Sequence, residues 1–133
     1  MNRYLLDTHV LIYLGCGFQE RIGKRALENF RDGKNFVGIS QISFWEIAIK
    51  INIGKLEIPI GLSRLISLSQ EAGIDLIPVS TRHIIYYQNL ERKPEHRDPF
   101  DRYIVSAAAC EECVLVSSDE KFDLYPEISR IWH

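Results

Sequence analysis

Apolar residues in this chain fall into short unbroken runs, separated by longer stretches in which they recur every third or fourth position. The runs are "RYLLD" (3–7), "NFVGIS" (35–40), "IDLIPV" (74–79), "CVLVSSD" (113–119) and "ISRIW" (128–132). Brief apolar runs bounded by turn formers predict strands buried on both faces. The stretches between them carry the helical period. "THVLIYLG" (8–15) stops at a glycine, and "QERIGKRALENFRDGK" (19–34) sets Ile22, Ala26, Leu27 and Phe30 on one side before closing at Gly33. Ser40 caps "QISFWEIAIKINIG" (41–54), which Gly54 ends, and "KLEIPIG" (55–61) reads as an irregular connector. "LSRLISLSQEAG" (62–73) is helical, as is "STRHIIYYQNLERK" (80–93) from its Ser/Thr cap to about Leu90. Strands alternating with helices predict an α/β fold, a mostly parallel sheet covered on both faces.

The last helix poses a chemical question. In "HRDPFDRYIVSAAA" (96–109), Asp98 followed by Pro99 is a good N-cap, because the carboxylate accepts orphan N–H groups and proline lacks the donor. From a start at Pro99, the positions Asp101, Ile104, Val105 and Ala108 form one inward stripe, headed by a charge. A buried carboxylate is costly without a partner.

Composition narrows the setting. The chain has 133 residues, 46% hydrophobic and 26% charged, which suits one domain spanning 1–133. A net charge of −2 argues against gripping nucleic acid by bulk positive charge and leaves only a local basic patch. Three cysteines, Cys16, Cys110 and Cys113, form no disulfide framework and point to a reducing compartment. Cys110 and Cys113 make a CxxC, but zinc needs two further ligands and no second pair exists, so helix-end packing accounts for them. Asp7 and His9 break the apolar N-terminus, which is therefore neither a signal peptide nor a membrane span; a cytoplasmic protein is expected.

Two strands end in acids, Asp7 and Asp119. In open parallel sheets, ligands sit beyond the carboxyl ends of the strands where the strand order reverses, although acids there also cap the following helix. Glu46 lies on an apolar stripe with Ile42, Ile49 and Ile53, and equally on a polar one with Ser43 and Lys50. With Asp101 these make four acids. Clustered without water they would repel, which demands raised pKa values or a divalent cation; all-oxygen ligands suit Mg2+ or Mn2+ rather than zinc.

In order and spacing, "YLLDTHVLIY", "SFWEIAIK", "GKLEI", "HRDPFDRYIVSAAA" and "LVSSDEKF" resemble the PIN domain, particularly the VapC-type ribonuclease toxins of prokaryotic toxin–antitoxin modules. The resemblance covers nearly the whole chain. It implies a three-layer α/β/α sandwich on a five-stranded sheet, with the first and fourth strands central. It also implies a catalytic metal site at the positions matching Asp7, Glu46, Asp101 and Asp119, supported by Thr8, Ser117 and the cap Asp98. Ser117 stands where the family often has threonine, which keeps the hydroxyl. The implied activity is hydrolysis of RNA phosphodiesters, and the implied partners are a cognate antitoxin and a second copy of the chain.

An acidic site repels RNA unless cations flank it. Arg92, Lys93, Arg97 and Arg102, with His96, concentrate positive charge near Asp101 and are candidates to hold the phosphates. The plainer alternative is a solvated basic loop with an ion pair or two. His96 is expected to hydrogen-bond within its loop, and His9, His83 and His133 belong to no evident constellation. Trp45, Trp132, Tyr86 and Tyr87 read as core or interface anchors. The apolar segment "ISFWEIAIKINIGKLEIPIGL" exceeds what one helix face can bury and predicts a partner interface. Two alternatives are a receiver-like signalling domain with an acidic Mg2+ pocket and a catalytically silent PIN-like binding module.

Overall fold

Leu5 and Leu6 are both wholly buried but belong to different cores, and that alternation organises the molecule. The computed structural model describes the backbone of all 133 residues and every side chain but that of Phe30, so the expected inward place of Phe30 lies outside the described residues. The strands are β1 (Arg3–Leu6), β2 (Phe36–Ser40), β3 (Asp75–Ile77), β4 (Val114–Val116) and β5 (Arg130–Ile131). They form one five-stranded sheet of order β3-β2-β1-β4-β5, and every pairing is parallel.

On one face, Tyr4, Leu6, Val37, Ile39 and Val116 pack against α1 (Thr8–Gly15), α2 (Lys24–Arg31), α3 (Gln41–Asn52) and α4 (Leu62–Glu71). On the other, Leu5 and Leu115 meet the layer of α5 (Thr81–Gln88), α6 (Pro99–Cys110) and the 3-10 turn Glu120–Leu124. The result is the expected α/β/α sandwich. Strands covered on both sides keep unbroken apolar runs, and each aliphatic side chain so buried contributes roughly 1.5–3 kcal/mol.

Several boundaries differ from the sequence pattern, among them the fifth run, which shortens to Arg130–Ile131. The helix expected over 19–34 is broken into a 3-10 turn, Gln19–Arg21, and α2. The break falls at Gly23, where a Cβ would lie 1.8 Å from the Trp132 carbonyl oxygen; the C-terminal segment passes too close for any side chain. The run 74–79 shortens to β3, an edge strand stopped by Pro78, which has no N–H to give the ladder. The fourth run ends as strand at Val116, leaving Ser117 to Asp119 as loop. Elsewhere the signals hold: Gly54, at φ +76°, follows the end of α3, and α6 begins at Pro99 beneath its Asp98 cap.

Strand order reverses between β1 and β4, the crevice position of an open parallel sheet. Leu6 pairs with Val116, and Asp7 N–H donates to the Val116 carbonyl at 3.0 Å, so the two acid-bearing strand ends lie side by side. Among the described residues no helix is long and apolar enough to cross a membrane.

Candidate metal centre

Asp7 stands at the mouth of that crevice, 3% exposed. It occupies the N-cap position of α1 yet makes no capping bond, so the usual role of an acid after a strand does not explain it. Its Oδ2 accepts from Ser117 Oγ at 2.8 Å, whereas Oδ1 is buried with no partner. Ser117 Oγ also accepts the Asp119 N–H at 3.1 Å, so one hydroxyl ties the ends of β1 and β4 together. Asp119 does cap: its Oδ1 accepts the Lys121 N–H at 3.0 Å and starts the following 3-10 turn.

Glu46 turns inward with Ile42, although Ile53 at the end of that stripe is exposed, and it keeps its polar partner as well. The side chain is buried, and its Oε2 meets Lys50 Nζ at 3.0 Å one turn along α3. Oε1, like Asp7 Oδ1, is buried without a partner. One turn earlier, Ser43 Oγ accepts from Thr8 Oγ1 at 2.7 Å, both residues wholly buried. Thr8 thus ties the start of α1, next to Asp7, to the helix that carries Glu46.

Asp101 enters from α6 on the predicted inward stripe, with Ile104, Val105 and Ala108 buried behind it. Its Oδ2 lies 3.2 Å from His96 Nε2. Burial pushes its carboxyl up to about 7, and the charges of Asp7, Asp98, Glu46 and Asp119 push the same way. Ligating atoms of His96, Asp101 and Asp119 lie within 4.8 Å of one another, the one such group among the described residues. Asp7 and Glu46 stand outside that tight triplet.

Of two histidines at this mouth, His9 belonged to no constellation evident in the sequence and His96 was expected only to serve its loop. His9 Nδ1 lies 3.8 Å from Asp7 Oδ2, and the adjacent carboxylate holds its pKa above the usual histidine value. The signal was available in "DTH": two residues past a strand-end acid, a side chain returns to the same mouth. The His96 ring was expected to bond within its loop and instead leaves it, meeting Tyr125 Oη of a distant segment at 2.8 Å and Asp101 Oδ2 in the acid site at 3.2 Å.

The basic residues divide. Arg92, Lys93, Arg97 and Arg102 line one cleft of about 620 Å³ with Tyr87, and His96 borders it. Arg92 and Arg97 are exposed, and Lys93 lies 3.5 Å from Glu91. Arg102 departs from the expected free cation. It is buried, with Nη1 donating to Tyr125 Oη at 3.0 Å and Nη2 to the Glu91 carbonyl at 3.2 Å. An inward arginine beside an inward aspartate reflects helix geometry: neighbours differ by about 100°, and the long stem reaches back over Tyr87 and Tyr125. Asp98 is exposed and acts as the cap, accepting the Phe100 N–H at 2.8 Å.

Two buried carboxylate oxygens without hydrogen-bond donors, beside an acid whose proton is retained to near neutrality, fit a hard divalent cation held by oxygen. The donor set is carboxylate rather than thiolate; Cys110 and Cys113 lie at the far end of α6.

Comparisons with known proteins agree with this architecture. The family model for the PIN domain matches residues 4–128. No curated protein matches the chain. Among solved structures, VapBC2 from Rickettsia felis bound to a promoter DNA fragment aligns at TM-score 0.71 and 19% identity, over 98% of this chain and 99% of that one. VapBC-1 from nontypeable Haemophilus influenzae gives 0.71 and 18%, over 97% and 96%. VapBC-5 from Mycobacterium tuberculosis, a member of the VapBC family of toxin–antitoxin systems, gives 0.64 and 18%, over 98% of each. At such identities the likeness is one of fold. The receiver-like alternative is set aside by the family match, and it also needs a phospho-acceptor aspartate after the third strand, where this chain has Pro78 and Val79.

Proposed function

The chain belongs to the PIN domain family, whose members are generally nucleases, and from that premise we propose that it is a VapC-type endoribonuclease toxin dependent on Mg2+ or Mn2+. The observation that carries the proposal is the pair of buried, donorless oxygens, Asp7 Oδ1 and Glu46 Oε1, on acids close enough that their charges, with that of Asp119, act on Asp101. Such oxygens are tolerated where a cation completes them.

Asp7, Glu46, Asp101 and Asp119 would hold the cation, which when bound supplies water activation and neutralises charge developing on the phosphate. The chain's own groups do the rest. Ser117 and Thr8 fix the directions of the first acid and of the helix bearing Glu46. Lys50 balances one oxygen of Glu46 so that the site is not a bare cluster of negative charge. His9, exposed with Nδ1 3.8 Å from Asp7 Oδ2, borders the mouth of the site, where its ring can meet an incoming phosphate. Arg92, Lys93 and Arg97, around the neighbouring cleft with Arg102 as its wall, would grip the RNA backbone flanking the cut.

The likeness to VapBC structures supports a cognate antitoxin as partner, and a second copy of the chain is the further partner of this reading. Trp45, Ile53 and Ile60, all exposed along α3 and its connector, offer apolar surface for them. The protein would work as a single unit, 1–133, in the cytoplasm. The test is cleavage of a mixed RNA pool by purified protein with Mg2+ or Mn2+, against Asp7→Asn and an EDTA control. Loss of cleavage in both controls is expected. Undiminished cleavage in either would remove the proposal, and an inert wild type that binds no metal would favour the silent binding module.

A further inference from the structure

The closeness of His96 to Asp101 and Asp119 invites its assignment as a nitrogen ligand. Its hydrogen bonds say otherwise. The ring is 3% exposed and both nitrogens are engaged, Nδ1 with Tyr125 Oη at 2.8 Å and Nε2 with Asp101 Oδ2 at 3.2 Å. Tyr125 is 1% exposed and meets a further group, Arg102 Nη1, at 3.0 Å.

The two ends of this series fix its direction. A guanidinium can only donate, and the carboxylate, once ionised at mildly alkaline pH, can only accept. Arg102 therefore donates to the Tyr125 oxygen. The phenol has one hydrogen, and its remaining neighbour here is His96 Nδ1, so Tyr125 donates there. Nδ1 is then the bare nitrogen of a neutral ring, and Nε2 carries the proton and donates it to Asp101. The opposite order, with Nδ1–H aimed at the phenol, strands a buried hydroxyl hydrogen without an acceptor.

We infer that His96 is a positioning residue and not a metal ligand: an Arg102–Tyr125 relay locks its Nε2–H tautomer, which holds Asp101 Oδ2 and leaves Oδ1 for the cation. The inference rests on the metal-dependent reading above. It assigns the buried Arg102 to the acid site rather than to RNA. It also separates the paired oxygen of Asp101 from the free one, the division already seen in Asp7 and Glu46. Partners of this kind orient ligands and set their affinity.

The tautomer is read directly by long-range 1H–15N spectra of the wild-type chain in EDTA at mildly alkaline pH. His96 should show a protonated Nε2 and a bare Nδ1. In Tyr125→Phe, which keeps the ring and removes only the hydroxyl, both tautomers should appear, and Mn2+ affinity should fall about tenfold. His96→Gln, whose amide can still donate, should retain more affinity than His96→Ala. Pulsed EPR of wild-type protein with bound Mn2+ should show no directly coordinated nitrogen. An Nδ1–H ring in the wild type, or a nitrogen coupling that His96→Gln removes, overturns the inference while leaving the metal site standing. A wild type that binds no Mn2+ overturns the metal-dependent reading and, with it, the role of His96.

Discussion

Helix α6 has nearly the same polar arrangement at each end, and the two ends have different fates. At its C-terminal end, His83 lies between Tyr103 Oη (3.2 Å from Nδ1) and Glu111 Oε2 (2.9 Å from Nε2), as His96 lies between Tyr125 and Asp101 at the other. Tyr103 accepts the Ser80 N–H at 3.2 Å, much as Tyr125 accepts from Arg102. The difference is what meets the carboxylate. Glu111 is bridged by Arg82, with Arg3 Nη2 4.0 Å away, and its negative charge is answered within the chain. Around Asp101 the neighbours are Asp7, Asp98, Glu46 and Asp119, and its one partner is a histidine that burial keeps neutral. A tyrosine–histidine–carboxylate series is therefore no mark of a site by itself. The mark is a carboxylate that the fold has positioned but not neutralised.

Substitution of the two acids should break the symmetry most visibly. Asp101→Asn is expected to reduce RNA cleavage by about three orders of magnitude, equivalent to about 4 kcal/mol of transition-state stabilisation. Glu111→Gln should leave cleavage within about threefold and instead lower stability by about 1 kcal/mol, since Arg82 stays well solvated. Parallel cleavage assays and thermal melts separate the two outcomes. Equal losses of activity would mean that the ends of α6 do not differ as their charges suggest.

The apo protein should show the same contrast in its pH dependence. Asp101 has an unfolded value near 3.8 and a folded one of about 7. Below 3.8 it is protonated in both states and costs nothing. Between the two values the unfolded chain releases a proton that the folded chain keeps, so stability falls as pH rises, by at most about 4 kcal/mol, and levels off above 7. Asp101→Asn should flatten that slope, making the variant more stable than wild type in EDTA at alkaline pH. Divalent cations compete with the same proton, so their affinity for wild type should rise as pH passes through about 7. Melts with and without EDTA across this range are the measurement, and a wild-type slope of opposite sign defeats the assignment.

Smaller effects follow from the hydroxyl linking β1 to β4. Ser117→Ala removes one donor from Asp7 and one acceptor from the Asp119 N–H and should destabilise by about 1 kcal/mol. That is a fall in melting temperature of about 4 °C for a chain of this size. Metal affinity should fall with it, because Asp7 loses the bond that orients it. Ser117→Thr keeps the hydroxyl and should keep both properties.

Strands and helices were legible because both periods are carried by residues such as Leu5, Leu6, Ile104 and Val105 that have no role but burial. Where the pattern misled, the cause was an encounter distant in sequence. Gly23 breaks a helix because Trp132 passes over it, which no local window contains. The site divides likewise. Strand-end position flagged Asp7 and Asp119, and the α6 stripe flagged Asp101, but Glu46 lay on two stripes that spacing alone could not choose between. Arg102 was misjudged because exposure is the default for arginine; its burial depends on Tyr125 and Glu91, partners supplied by other segments. His9 was passed over although it stands two residues past the strand-end Asp7, because one exposed histidine on a helix start is by default a solvated side chain.

Lys50 provides the finest test of a neutralised against an unneutralised carboxylate, because it answers only half of one acid. Its ammonium lies 3.0 Å from Glu46 Oε2 and is about a third exposed, so solvent screens the pair and it contributes no more than about 0.5 kcal/mol to stability. Lys50→Met keeps the stem and removes the charge. Apo stability should drop by about that amount, as the acids lose a nearby ammonium, while Mn2+ affinity should rise about two- to threefold because a competing cation has gone. The two changes have opposite signs, which a general loosening of α3 would not produce. Titration calorimetry beside a thermal melt in EDTA decides it. If affinity and stability fell together, Lys50 would be holding Glu46 in place for the metal rather than standing in for part of its charge.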